Sequence, residues 1–215
     1  MRLRQKSWAD KEFAQNPMYL ENPRQHKSRW RELFGNDNPI HLEIGCGKGR
    51  FIVEHALRRP DINFLAMEKF EKIACIALRT SAQAGFVPNL YIFKDYAEQI
   101  TEIFGENELS RIYLNFSDPW RARGKWRKRR LTYRDFLAKY ESIMGAVKEI
   151  HFKTDNVQLF DFSLVEFEET GWRLENVTYD LHNSGFEDNV MTEYEEKFAS
   201  AGLRICRLEA SKGAF

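Results

Sequence analysis

The chain alternates between short apolar runs and longer segments in which apolar residues recur at helical spacing. The short runs predict strands at residues 40–44, 63–68, 90–94, 111–116, 149–153, 173–181 and 203–209. The longer segments predict helices at residues 48–59, 71–84, 97–104, 133–144, 156–169 and 192–201. This rhythm is typical of an α/β protein with a mostly parallel sheet and helices on both faces.

Residues 1–30 do not follow this rhythm. They are polar and aromatic by turns, and Pro17 and Pro23 interrupt them. We therefore expect an N-terminal arm outside the main sheet, followed by a single domain over residues 31–215. The length of 215 residues and the hydrophobic content of 43% suit one such domain. The cations of the arm are Arg2, Arg4, Lys6 and Lys11.

The rest of the composition argues against several classes of protein. The three cysteines, Cys46, Cys75 and Cys206, lack the spacing of a metal site or of a disulfide framework. They favour a reducing compartment and predict no bound metal. Because no apolar run is long enough for a signal peptide or a membrane span, we expect a cytoplasmic protein.

The strongest charge cluster is RARGKWRKRR at residues 121–130, which holds seven cations and no acid. The formal net charge of the chain is only +1, so this cluster is a local feature. A solvated loop is the ordinary alternative. Because adjacent cations repel one another, we favour a polyanion site, where cations neutralise phosphates and Trp120 or Trp126 stacks on a base. The cations assigned to RNA are Arg121, Lys125, Arg127, Lys128, Arg129 and Arg130.

A glycine-rich turn, EIGCGKG at residues 43–49, follows a predicted strand and precedes a helix. Alone, it is compatible with a simple tight turn. Acids at the next two strand ends, Glu68 and Asp95, favour a nucleoside cofactor, because carboxylates there accept ribose hydroxyls. The spacing departs from that of a dinucleotide site, and Glu43 would repel a pyrophosphate but attract an amino-bearing cation such as S-adenosylmethionine. The glycines assigned to the cofactor are Gly45, Gly47 and Gly49.

Polar residues also follow later strands. In NFSDPW, residues 115–120, Asp118 could simply form a turn with the proline. However, doubly wound strand order would put this segment beside the glycine-rich turn, where the carboxylate faces cofactor and substrate. Asn156 is expected to cap a helix. Thr192 and Glu195 have the spacing of a capping box, which does not exclude contacts with a base.

The chain resembles the bacterial tRNA (guanine-N7-)-methyltransferase family along nearly its full length. The motifs that carry the resemblance are MRLR (1–4), LEIGCGKG (42–49), MEK (67–69), NFSDPW (115–120), KRRLT (128–132), KTDN (153–156), NV (189–190) and TEYEEKF (192–198). The resemblance implies a class I methyltransferase (Rossmann-like) fold with a reversed last strand. It also implies methyl transfer from S-adenosylmethionine to N7 of a guanine in the tRNA variable loop, and it leaves a homodimer open.

The resemblance further implies roles for individual residues. The implied cofactor contacts are Glu43, Glu68, Asp95 and Asp118, with Asp118 also catalytic. The implied substrate contacts are Asp155, Thr192, Glu193, Tyr194 and Glu195. One segment departs from the family pattern, because Arg121 and Ala122 replace a proline and a substrate-binding lysine, a histidine is absent, and the loop is one residue longer. Either Arg123 or Lys125 supplies a cation instead, and Arg123 is assigned to the substrate.

Two other functions are compatible with these motifs. The first is an oxidoreductase that holds a nicotinamide dinucleotide in the glycine-rich turn; the glycine spacing and Glu43 argue against it. The second is a non-catalytic RNA-binding protein with a residual cofactor pocket, which the altered residues 121–126 keep open.

Overall fold

The computed structural model of the protein describes residues 13–213. Within that range, eight strands form one sheet in the order β1-β4-β3-β2-β5-β6-β8-β7. The strands are β1 (Tyr19–Leu20), β2 (Ile40–Ile44), β3 (Asn63–Glu68), β4 (Leu90–Lys94), β5 (Leu109–Asn115), β6 (Met144–Thr154), β7 (Arg173–Thr178) and β8 (Cys206–Lys212). The α-helices are α1 (Trp30–Phe34), α2 (Arg50–Arg58), α3 (Glu71–Gln83), α4 (Ile100–Ile103), α5 (Arg134–Ile143), α6 (Val157–Glu169) and α7 (Glu193–Ser200).

The sheet is mostly parallel. Every neighbouring pair from β1 to β6 in this order runs parallel, whereas β8 is antiparallel to both β6 and β7. The predicted fold class and the reversed last strand are therefore confirmed. Because parallel strands require crossover connections, helices fill the intervals between most of them.

Helices cover both faces of the sheet, as predicted. On one face, α2 and α3 pack through residues such as Ile52 and Leu78. On the other, α1, α4, α5 and α6 form a larger core around Trp30, Tyr140 and Phe160. None of the helices within residues 13–213 is long and apolar enough to cross a membrane.

The strand order positions the site. β2 lies between β3 and β5, with Glu43 paired to Ala66 on one side and to Tyr113 on the other. The expected neighbourhood of the glycine-rich turn and the NFSDPW segment is thus confirmed. The carboxyl ends of β2, β3, β4, β5 and β6 meet at one edge of the sheet, which we call the carboxyl edge, and parallel sheets bind ligands there.

Several predicted boundaries are wrong; β5 begins at Leu109 rather than residue 111, and β7 ends at Thr178 rather than residue 181. Tyr19–Leu20 belong to the main sheet, because they pair in parallel with β4; the basic residues of the arm lie outside the described residues. β6 begins at Met144, directly after α5, rather than at residue 149. β8 occupies Cys206–Lys212 rather than residues 203–209, since Leu203 is exposed while Ser211 is buried between neighbouring strands.

Candidate active site

A cavity of about 590 Å³ lies at the carboxyl edge, and we call it the edge pocket. It brings together seven of the residues predicted from the sequence. These are Gly45, Glu68, Asp95, Asp118, Trp120, Arg129 and Tyr194. Other side chains in its wall include Lys69, Phe70, Tyr96, Asn115, Phe116 and Ser117.

The glycine-rich turn is tied to the end of β3. Gly45, Gly47 and Gly49 all have positive φ angles, of 78°, 58° and 87°, which only glycine adopts without strain. The backbone N–H of Gly45 donates to the Met67 carbonyl at 2.8 Å, and that of Gly47 donates to Glu68 Oε2 at 3.1 Å. These bonds keep the turn open toward the edge pocket.

Glu68 and Asp95 are buried carboxylates at successive strand ends. Glu68 Oε1 accepts the Phe70 N–H at 2.9 Å, so both of its oxygens hold the surrounding backbone. Asp95 Oδ2 lies 2.9 Å from Arg24 Nη1. Sequence reasoning missed Arg24, because it belongs to a segment predicted to lie outside the sheet.

Glu43 is buried behind the edge pocket and is only partly satisfied. Asn115 Nδ2 donates to Glu43 Oε1 at 2.8 Å, while Glu43 Oε2 has no hydrogen-bond partner among the described residues. Burial raises the pKa of Glu43 to about 8, against the opposing effects of the Asn115 hydrogen bond and the Lys153 charge. The site therefore contains a buried carboxyl group, one oxygen of which accepts no hydrogen bond from the described residues.

The segment after β5 has a strained backbone. Phe116 adopts a φ of 52°, uncommon for an aromatic residue, and its N–H donates to the Lys153 carbonyl at 2.8 Å. The next side chain, Ser117, has a buried Oγ without a hydrogen-bond partner in residues 13–213. Asp118 then projects outward with 60% of its side chain exposed, and its Oδ2 lies 2.9 Å from Lys69 Nζ.

The basic segment forms a 3₁₀ helix at Gly124–Arg129, where the sequence predicted a loop. Residues 121–129 are exposed, so Arg123 and Lys125 are both accessible. The Trp120 and Trp126 rings stack at 5.6 Å between centroids, and the Arg129 guanidinium lies 4.0 Å from the Trp120 centroid. These contacts place aromatic faces among the cations.

Arg130 differs from the other cations of this segment. It is only 2% exposed, and its Nε donates to the Trp120 carbonyl at 2.7 Å. Burial lowers its pKa. In this arrangement Arg130 holds the basic segment against the core rather than presenting a charge to solvent.

Of the predicted substrate residues, Thr192 and Glu195 are buried, whereas Tyr194 is exposed. Thr192 Oγ1 accepts the Glu195 N–H at 2.9 Å, as an N-cap should. The Glu195 carboxylate does not complete the capping box, because it is fully buried against Lys153. Tyr194 is 48% exposed and its ring lies 5.1 Å from Phe116. Burial, with a smaller effect from the Asp155 charge, raises the pKa of Tyr194.

Sequence reasoning missed two lysines at this edge. Lys69 directly follows β3, and its position after a strand end was the available signal. Lys153 lies in the alternating pattern of β6, where a single lysine gave no signal of burial. Histidine, cysteine, aspartate and glutamate form no group of three or more suited to a metal ion within residues 13–213.

Comparisons with known proteins identify the family. A family model described as "Putative methyltransferase" matches residues 37–208. A protein of Geobacillus sp. (strain WCH70) named tRNA (guanine-N(7)-)-methyltransferase is 51% identical over 210 residues, covering 97% of this chain and 94% of its own length. A protein of the same name from Enterococcus faecalis (strain ATCC 700802 / V583) is 50% identical, with 98% of each chain covered.

Solved structures show the same fold at low identity. The 16S rRNA methyltransferase KamB superposes with a TM-score of 0.65 and 13% identity, covering 87% of this chain and 94% of that one. An antibiotic-related methyltransferase superposes with a TM-score of 0.60 and 17% identity, with the same coverage. The fold is thus that of class I methyltransferases. With half of its residues identical to those of named members over nearly its whole length, the chain belongs to the tRNA (guanine-N(7)-)-methyltransferase family.

Proposed function

We propose that the protein transfers a methyl group from S-adenosylmethionine to N7 of a guanine in the variable loop of tRNA. The observation that carries the proposal is the meeting, at one edge of the sheet, of an acid-lined pocket with an exposed basic and aromatic segment. The names of the relatives support the choice of substrate and of the nitrogen.

The residues of the edge pocket fit S-adenosylmethionine. Glu68 and Asp95 stand where ribose hydroxyls are held in doubly wound sheets. Among the described residues, neither the buried Glu43 Oε2 nor the buried Ser117 Oγ has a hydrogen-bond partner. An amino-bearing cation would donate to Glu43 Oε2 and favour its ionised form. When bound, this cofactor supplies a methyl group on a positively charged sulfur.

The chemistry requires positioning and charge rather than proton removal. Guanine N7 carries a lone pair and no proton, so its alkylation needs no general base. Positive charge develops on the purine as the nitrogen is methylated. The Asp118 carboxylate, exposed at the mouth of the edge pocket, stabilises that charge from a fixed position.

Selection of guanine requires acceptors for its N1–H and exocyclic amine. Asp155 and Glu193 are partly exposed at this edge and have that capacity. Glu195 does not, because its carboxylate is enclosed. We therefore assign base recognition to Asp155 and Glu193, and a supporting role to Glu195.

The exposed cations beside the pocket hold the phosphates of the tRNA. Arg121, Arg123, Lys125, Arg127 and Lys128 face solvent along one segment. The stacked Trp120 and Trp126 rings offer a surface for an unpaired base. A homodimer stays a prediction.

A direct assay tests the function. The protein is incubated with an unmodified tRNA transcript and methyl-labelled S-adenosylmethionine, and the digested RNA is analysed for 7-methylguanosine. We expect one labelled guanine per tRNA, lost when the variable-loop guanine is replaced by adenine. Tight tRNA binding without methyl transfer would instead support the RNA-binding alternative.

A further inference from the structure

Lys153 is an almost fully enclosed cation at the carboxyl edge. It lies near the end of β6, and 6% of its side chain is exposed. Its Nζ donates to Glu195 Oε2 at 2.7 Å, to the Val190 carbonyl at 2.9 Å and to Asn189 Oδ1 at 3.1 Å. All three acceptors belong to one segment, residues 189–195, which precedes and begins α7. A single ammonium group thus joins the sheet to that segment.

The acceptors of Lys153 are linked to one another. Glu195 Oε1 accepts from Asn189 Nδ2 at 2.6 Å, and its N–H donates to Thr192 Oγ1. The His182 ring nitrogen Nε2 lies 3.3 Å from the same carboxylate oxygen. Both oxygens of the Glu195 carboxylate are therefore held within the protein, and because the side chain is fully buried it does not reach a substrate base.

This network decides what residues 189–195 present to the edge pocket. With Glu195 turned inward, its neighbour Tyr194 points out and forms part of the pocket wall, 5.1 Å from Phe116. Phe116 is in turn fixed by its bond to the Lys153 carbonyl. The side chain and the backbone of Lys153 therefore hold the segments that carry two of the aromatic rings in this wall, Tyr194 and Phe116.

We propose that Lys153 is a positioning residue for the substrate, which fixes residues 189–195 so that Tyr194 and Glu193 meet the guanine beside the cofactor. This inference rests on the proposed function and deepens it. Lys153 touches neither substrate nor cofactor in this assignment. It acts through Glu195, Val190 and Asn189, and a shift of about 1 Å in such an element costs about a hundredfold in rate.

A purely stabilising role is the competing explanation. Buried ion pairs contribute little net stability, because desolvation of both charges offsets their attraction, although removal of one partner is costly. Burial also lowers the pKa of Lys153. A positioning role predicts that loss of the pair displaces residues 189–195 and slows methyl transfer. A purely stabilising role predicts a less stable protein with normal methyl transfer.

The test uses Lys153→Met and Glu195→Gln, singly and together, in the full chain. Methyl transfer is measured at saturating S-adenosylmethionine. Loss of the Lys153 charge near Glu43 then does not alter the measured rate through a change in cofactor affinity. Each single variant should lower kcat/KM for tRNA by about a hundredfold. The double variant should be no worse than either single one, because the same contact is lost in all three.

Glu166→Gln is the matched control. Glu166 is another buried carboxylate, paired with Arg134 at the start of α5, and it does not line the edge pocket. It should lose stability in thermal unfolding while keeping wild-type kcat/KM. If Lys153→Met behaves like Glu166→Gln, destabilised but fully active, the inference is overturned.

Hydrogen exchange gives a readout that does not depend on activity. Amides of residues 189–195 should exchange about tenfold faster in Lys153→Met and in Glu195→Gln, while those of β2 and β3 stay unchanged. Unchanged exchange in the segment would overturn the inference even if tRNA is methylated. If the wild type transfers no methyl group, the proposed function fails, and the exchange measurement still decides the role of Lys153 in ordering the segment.

Discussion

Lys69 Nζ lies 2.9 Å from Asp118 Oδ2 and joins the end of β3 to the segment after β5, across the mouth of the edge pocket. β2 lies between these two strands, so the pair spans the glycine-rich turn. Both side chains are substantially exposed, and such pairs contribute at most about 1 kcal/mol. The pair therefore orients Asp118, while its carboxylate remains available to interact with the substrate.

Asp118→Asn should separate catalysis from binding. The amide keeps the shape of the side chain but loses the charge, so kcat should fall by about a hundred- to a thousandfold while tRNA affinity changes little. Single-turnover methylation measured beside tRNA binding checks this. The control is Lys69→Met, which keeps the carboxylate and should cost less than about fivefold. Near-normal turnover by Asp118→Asn would reduce Asp118 to a turn-forming residue.

Cofactor binding should release a proton near neutral pH. The pKa of Glu43 is raised to about 8 without a bound cation, so the group is largely protonated at pH 7. A cofactor ammonium favours the carboxylate, and affinity should therefore decrease as pH falls through about 8. Calorimetry in buffers of different ionisation enthalpy should detect the released proton in the wild type and none in Glu43→Gln. Equal proton release by both proteins would contradict the assignment.

The same group affects stability in the cofactor-free protein. A folded pKa above the ordinary value of 4.5 means that the folded state holds its proton more tightly than the unfolded state between these pH values. Stability from this group is present below pH 4.5 and is lost as pH rises toward 8. Glu43→Gln should therefore gain stability over the wild type as pH rises, measured by denaturant unfolding. A gain that is independent of pH would exclude this cause.

Two glycines of one turn should fail in different ways. A Cβ on Gly49 would lie 3.0 Å from Ala77 Cβ on α3, and Gly49 has a φ of 87°. Gly49→Ala should therefore destabilise the fold by about 2–4 kcal/mol in denaturant unfolding. A Cβ on Gly45 meets nothing within 4 Å, and Gly45 lines the edge pocket. Gly45→Ala should cost less stability and more cofactor affinity. The reverse order would contradict the arrangement of the turn.

tRNA binding should depend on the exposed part of the basic segment. Neutralising Arg121, Arg123 and Lys128 together should reduce the slope of log affinity against log salt by about 2–3. Arg129 and Arg130 are left intact, because both pack against Trp120. The control variant neutralises Arg31, Arg58 and Arg173, which lie on elements at the opposite edge of the sheet. Equal slopes for the two triple variants would move the RNA track elsewhere.

Much of this architecture could be predicted from periodicity. β2, β3 and β4 have the predicted bounds, because fully buried strands give continuous apolar runs between glycine, proline and polar residues. β1 could not be found this way. It has only two residues, Tyr19–Leu20, and exists because β4 offers a free edge. Its pairing is a tertiary effect without a local pattern.

The site was predictable where chemistry follows strand ends. Glu68, Asp95 and Asp118 were found because parallel strands gather their ends at one edge. The motifs assigned Arg130 to RNA and Glu195 to the substrate, but both side chains are buried. Arg130 is held by the Trp120 carbonyl and Glu195 by Lys153, contacts that the motifs do not encode. Side-chain direction within a motif is set by such partners and not by spacing.

The position of β8 has a consequence for the order of assembly. β7 pairs within the described sheet only with β8, which follows it in the chain and separates it from β6. During synthesis, β7 therefore emerges before the strand with which it pairs, whereas residues 40–154 can already form their parallel ladders. Residues 189–195, which we propose meet the substrate, lie between β7 and β8, so their anchoring also comes late. A ribosome-bound chain that has not yet exposed β8 should hold a formed cofactor pocket before it can recognise RNA.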